Sequence, residues 1–253
     1  LELLEFFSKY RNGLGYRATK RGKGLLVLTL LLLALPFINM SVEVYQRFSG
    51  WGRPELAVVY MATKACLVLF FTAIPLLYSF YFHSRDLQIL SPLPVPAEYL
   101  ALAKLSVVWF YLTGINFVFL FPVAVLTGMN TGLAGWSVLL GLLLSVVAPV
   151  PPLFLAGLAV FGLSRLTANR GRKSLLFFFS TFALLGLVLG AQLLLTDGNA
   201  VRLVDWTQRL TGLYPPAGWS VQIVNGSLPG LLKYAALNLL CYGGLKRTVR
   251  QLY

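Results

Sequence analysis

A chain of 253 residues that is 58% hydrophobic and only 11% charged, with a mean hydropathy of +0.77, has too few polar side chains to coat a soluble globule, in which about 25% of residues are charged. The composition excludes a soluble core and points to an all-helical integral membrane protein. A formal charge of +13 would suggest nucleic acid in a soluble protein, but here its placement along the chain is what informs.

Residues 1–24 are basic, with Lys9, Arg11, Arg17, Lys20, Arg21 and Lys23, and Leu3, Phe7, Tyr10 and Leu14 recur on one helix face. The spacing predicts an amphipathic helix lying on the membrane, with the glycine-rich stretch 12–24 open to a disordered reading as well. The remainder, 25–253, reads as one transmembrane domain of six spans. The first covers about 25–46 and contains Pro36. A short outer loop with Trp51, an interface anchor, leads to the second, about 56–82, which exceeds the ~20 residues a bilayer needs and holds Lys64. The first apolar run is too long for a cleavable signal peptide and lacks a small-residue cleavage site.

The stretch from His83 to Lys104 is the most structured polar interruption. Asp86 opens a short amphipathic piece with Leu87 and Leu90 three residues apart. Pro92, Pro94 and Pro96 then exclude a continuous helix. A helix restarts near Glu98, where the helix dipole favours an acid. The third span follows at about 105–127, and after the uncharged turn 128–135 the fourth runs over about 136–163. Pro149, Pro151 and Pro152 must break it, and broken backbone in a membrane is tolerated only against protein or a wet cavity. A basic loop with Arg165, Arg170, Arg172 and Lys173 precedes the fifth span, about 175–196, where Gly186 and Gly190 make a GxxxG pair that chance also explains. Residues 197–229 read as an outer helical cap on the membrane surface. In it Leu203, Trp206 and Leu210 share one helix face and Arg202, Asp205 and Arg209 another, with charge pairing through Asp205. A second short helix lies near Trp219, and the sixth span covers about 230–245.

The inner segments of this layout carry fifteen Lys and Arg and the outer ones four. The positive-inside rule therefore places both termini in the cytoplasm and the protein, multi-pass, in the cell membrane. The basicity is a matter of topology and anionic-lipid contact, not of nucleic acid. Lys64 and Lys233 are the basic residues within spans, and snorkelling is the default for both.

Catalytic chemistry is sparse. His83 is the one histidine, Cys66 and Cys241 form no metal or disulfide pattern, and no Ser/His pair or GxSxG motif lies in the spans. No carboxylate sits deep in a span, which disfavours ion-coupled transport. No GxxxxGK[ST] loop is present, so any ATP that drives this protein is hydrolysed by another chain. The chain reads as no enzyme in itself, with no metal site and no cofactor of its own.

The residues Asp86, Leu87, Leu90, Leu93, Pro94, Val95, Leu100, Ala103 and Lys104 together resemble the first cytoplasmic loop of the permease subunits of type-2 ABC exporters, a superfamily with bacterial members. Two departures are Asp86, where many relatives have Glu, and the abundance of proline. The resemblance implies a transmembrane permease with an elbow helix before its first span, whose 83–104 loop docks on a separate ABC ATPase that binds ATP and magnesium. Its ATPase-coupling residues would be Arg85, Asp86, Leu87, Leu90, Pro92, Pro94 and Glu98. It also implies a second permease half, whether an identical copy, a paralogue or a C-terminal half of a longer chain. Lys64, Asn116, Ser180 and Gln192, polar groups among Leu, Phe and Val, are the candidates for a substrate path. The competing class is a non-transport membrane scaffold or assembly factor.

Overall fold

The structure is a computed structural model that describes residues 20–82, 97–130, 132, 134–166, 182, 183, 186, 190 and 200–250. Among them every regular element is an α-helix: α1 (Lys20–Gly50), α2 (Glu55–Phe82), α3 (Ala97–Asn130), α4 (Ala134–Val147), α5 (Val150–Leu166), α6 (Ala200–Leu213), α7 (Pro215–Val224) and α8 (Leu228–Arg250). The chain divides into two compact units, Leu1–Asn39 and Met40–Tyr253. In the first, α1 starts at Lys20, so the last basic residues of the expected tail stand on a helix. The amphipathic face of residues 3–14 lies outside the described residues.

Three stretches among the described residues are long and apolar enough to cross a membrane: Glu55–Tyr81, Leu102–Asn130 and Gly135–Gly162, of 27, 29 and 28 residues. At a rise of ~1.5 Å per residue each exceeds a hydrocarbon layer of ~30 Å. They correspond to the expected second, third and fourth spans, and they are the features of a helical membrane protein. The expected third span is one continuous helix with the segment that restarts before it, since α3 runs unbroken from Ala97.

In the second unit α2 is the central helix, packed against α3, α5, α6 and α7, while α8 packs against α5 and α7. One buried apolar cluster joins Leu69, Ala73 and Leu77 of α2 to Val108 and Leu112 of α3, Ala156 and Val160 of α5, and Leu245 of α8. Large apolar side chains also face outward, among them Phe110 and Tyr111 of α3, Trp136 and Leu139 of α4, and Leu239 and Leu240 of α8. Exposed apolar surface of this extent suits lipid rather than water. Lipid is as apolar as the core, so close packing holds the helices to one another. Gly128 shows how close. A Cβ there would lie 2.7 Å from the Cβ of Ser137, so α3 and α4 touch backbone to backbone across the turn at Gly132.

The ends of the helices follow from local sequence. At the end of α1, Arg53 N–H donates to Phe48 O (2.9 Å) and Gly52 N–H to Ser49 O (3.0 Å). This is the Schellman pattern, with Gly52 at φ +72° supplying the left-handed residue and Pro54 barring further helix. The end of α7 repeats it, with Ser227 N–H on Gln222 O (2.8 Å) and Gly226 N–H on Ile223 O (2.9 Å). Some buried hydroxyls are satisfied within their own helices, as in Ser145 Oγ to Gly141 O and Thr207 Oγ1 to Leu203 O.

The proline break falls where expected. α4 ends at Val147, residues 148–149 form a turn, and α5 restarts at Val150 with Pro151 and Pro152 in its first turn, where a missing N–H costs no helical bond.

Residues 200–224 are helical, as the expected surface helices require, but the face of α6 divides differently. Leu203 and Thr207 are buried and Leu210 is half-buried, whereas Trp206 is 58% exposed. The inward face holds a threonine, and the indole points out on the flank shared with Leu213 and the two arginines. Asp205 makes no ion pair with Arg202 or Arg209. The ion pairs among the described residues are Glu43–Arg47 (2.7 Å) and Arg53–Glu55 (3.8 Å), both exposed and each worth under ~1 kcal/mol.

Candidate functional site

The loop that carries the resemblance is bounded by the end of α2 at Phe82 and the start of α3 at Ala97. Arg85, Asp86, Leu87, Leu90, Pro92 and Pro94 lie outside the described residues, and Glu98 stands in the first turn of α3. What is described is the base from which the loop springs. There Lys104 is 8% exposed, and its Nζ donates a hydrogen bond to Phe80 O at 3.0 Å. Phe80 stands in the last described turn of α2, and Lys104 thus ties α2 to α3 through a charge-assisted hydrogen bond. Just below, Leu105 joins the apolar cluster, and Tyr81 packs edge-on against Phe161 of α5 with ring centres 5.0 Å apart. The two roots of the loop are joined by the Lys104 hydrogen bond, and the α2 root is also packed onto α5 through Tyr81.

Of the substrate-path candidates, Lys64 and Asn116 are described, while Ser180 and Gln192 lie outside the described residues. The two described residues share no partner. Lys64 does not snorkel: it is 4% exposed and its Nζ points at Met40 Sδ, 3.2 Å away. A thioether is a weak acceptor, and no carboxylate pairs with Lys64 among the described residues.

Asn116 has a definite structural task. Its Nδ2 donates to Ser145 O at 2.9 Å, from α3 to α4, in a fully buried setting. In a continuous helix that carbonyl would accept from the N–H of residue 149, which here is Pro149 and has none. Asn116 supplies the missing donor, as broken membrane helices require of a neighbour. The pairing has a sequence signal, a proline four residues after the orphaned carbonyl and an amide on the adjacent span, but choosing Asn116 needed the fold.

The same face of α3 holds further polar atoms. Trp109 Nε1, Thr113 Oγ1 and Asn116 Oδ1 are buried without a hydrogen-bond partner, and their spacing of four and three residues sets them in one file along the helix. Buried polar groups of this kind are uncommon and call for an explanation. Sequence reasoning did not pick out Trp109 or Thr113, because either residue alone is unremarkable in a membrane helix.

A second polar cluster also escaped it. Tyr214 at the start of α7 is hydrogen-bonded to both Cys66 of α2 and Tyr234 of α8, with Ser220 joining Tyr234. Burial, reinforced by Tyr234 and Cys66 nearby, pushes the Tyr214 phenol well above its ordinary range, so it stays protonated and serves as a donor. Cys66 and Cys241 are both free thiols. No set of three metal-ligating side chains occurs among the described residues.

Compared with family models, curated proteins and solved structures, the chain matches none. Its function therefore rests on its own residues.

Proposed function

We propose that this protein is the permease subunit of an ATP-driven ABC exporter, with six spans, cytoplasmic termini and residence in the cell membrane. A separate ATPase, holding ATP and magnesium, would bind the 83–104 loop. A second permease half would complete the transporter. The observation that carries the reading is the hydrogen bond of Lys104 Nζ to Phe80 O at the base of the loop. A coupling element must pass displacement to the spans rather than absorb it in its own roots. With α2 and α3 fastened by Lys104 and by the shared apolar cluster, a push on the loop moves both helices together. The file Trp109–Thr113–Asn116 adds support, since unpartnered polar atoms inside the bundle give a polar solute somewhere to bind.

The decisive experiment is copurification with an ABC ATPase, followed by the same with Leu87→Ala/Leu90→Ala. Contact anchors of this kind cost ~2 kcal/mol or more on truncation, about a 30-fold weaker association. The expected result is a protein that still inserts and folds but loses its ATPase and its export. Undiminished ATPase association and export in this variant would end the assignment and favour a scaffold.

A further inference from the structure

A crevice of about 300 Å³ opens between α3, α5 and α8. Its walls are apolar: Leu105 and Trp109 of α3, Leu153 and Phe154 of α5, Cys241 and Leu245 of α8. Its mouth is set by Ser106 and Tyr242, both exposed. Beside it α5 and α8 are in close contact: a Cβ on Gly244 would lie 2.8 Å from the Phe154 ring, and one on Gly157 3.0 Å from Leu245 Cδ1.

The mouth carries the hydroxyls of Ser106 and Tyr242, and the positive charge lies one turn beyond it. Lys246 follows Tyr242 by four residues and therefore stands one turn further along the same face of α8, with Arg247 beside it. Neither makes an ion pair among the described residues, and both lie in the last turns of α8, whose dipole favours cations. The walls thus call for a hydrocarbon chain and the rim for an anion. An apolar cleft with two cations one turn beyond its mouth, neither of them ion-paired among the described residues, matches one class of molecule.

We propose that this crevice is a built site for one anionic phospholipid, whose acyl chain lies between α3, α5 and α8 and whose phosphate is held by Lys246 and Arg247. Buried methylenes contribute to affinity through contact with the walls, while the two cations supply the choice of headgroup, as basic residues at an anionic leaflet do. The lipid in this position fills a gap between three helices and so acts as part of the packing. The inference depends on the protein lying in a bilayer and not on the export reading.

The test is lipid retention by the intact protein in native mass spectrometry, offering phosphatidylglycerol and phosphatidylcholine of identical chains. The expected result is one lipid retained per chain, phosphatidylglycerol about tenfold over phosphatidylcholine. Lys246→Gln/Arg247→Gln should remove the preference and leave the phosphatidylcholine level as it was. Cys241→Phe, which fills the crevice, should reduce both. A second measurement avoids any folding defect of that variant: acyl chains brominated along their length should quench a component of the tryptophan fluorescence of the wild type that disappears in Trp109→Phe. Equal retention of the two lipids, or unchanged retention in Cys241→Phe together with no quenching of the Trp109 component, would overturn the proposal.

Discussion

Two buried lysines meet α2 in opposite ways. Lys104 comes from α3 and donates its ammonium to the carbonyl of Phe80, in the last described turn of α2. Lys64 belongs to α2 itself and, among the described residues, has the sulfur of Met40 as its hydrogen-bond partner. Their exposures are nearly the same, 8% and 4%, so burial does not distinguish them. The acceptor does. A charge set against a backbone carbonyl recovers much of its lost hydration, whereas one set against a thioether recovers little. The first is a fastening. The second is a group held at a cost, and such groups inside membranes are candidates for function.

The comparison can be broken most directly at Lys104. Lys104→Met keeps the length of the side chain and removes the charged donor to Phe80 O. A hydrogen bond to a charged group contributes about 1.5–3 kcal/mol, so we expect a loss of about 2–3 kcal/mol in detergent unfolding by SDS titration. A wild-type transition would remove Lys104 as the fastening of the loop.

Asn116→Ala extends the comparison to a neutral cap. It leaves Ser145 O without a donor at the proline break, and the expected loss is about 1–2 kcal/mol in the same titration. Asn116→Gln should recover little, because the longer amide no longer matches the 2.9 Å geometry. Equal stability of all three proteins would show that the break needs no cap.

Lys64→Met carries the smallest expected effect on stability. Replacing a poorly compensated buried charge with an apolar side chain of similar size is often neutral or stabilising. We therefore expect no loss, and a gain of up to about 1 kcal/mol. Destabilisation comparable to that of Lys104→Met would place Lys64 among the structural residues and dissolve the distinction.

How much of this was legible in the sequence divides along the range of the interaction. The helix of the second span, the break at Pro149 and the helices around 200–224 depend on hydropathy and proline, which are local, and they lie where expected. The face of α6 was misread because an amphipathic pattern marks an apolar side without saying whether protein or lipid covers it. Trp206 took the outward flank and Thr207 the inward one, its hydroxyl satisfied within the helix. The burial of Lys64 ran against the snorkelling rule because Met40, distant in sequence, closes over it. For the candidate site, the sequence marked Lys104 and Asn116 but not their tasks, since an acceptor on another helix has no local signature. The Cys66–Tyr214–Tyr234 cluster joins three helices and leaves no pattern along the chain.

The interruption between α4 and α5 has a consequence for how this chain tolerates mutation. The carbonyls of Ser145, Val147 and Ala148 would each look four residues ahead for a donor, and find Pro149, Pro151 and Pro152 in turn. The discontinuity is thus encoded three times over. Replacing any one proline returns a single N–H and leaves two gaps, so no point mutation can splice the halves into one straight rod. Drift at any of these codons is buffered by the other two, and the bend passes through single-residue variation intact.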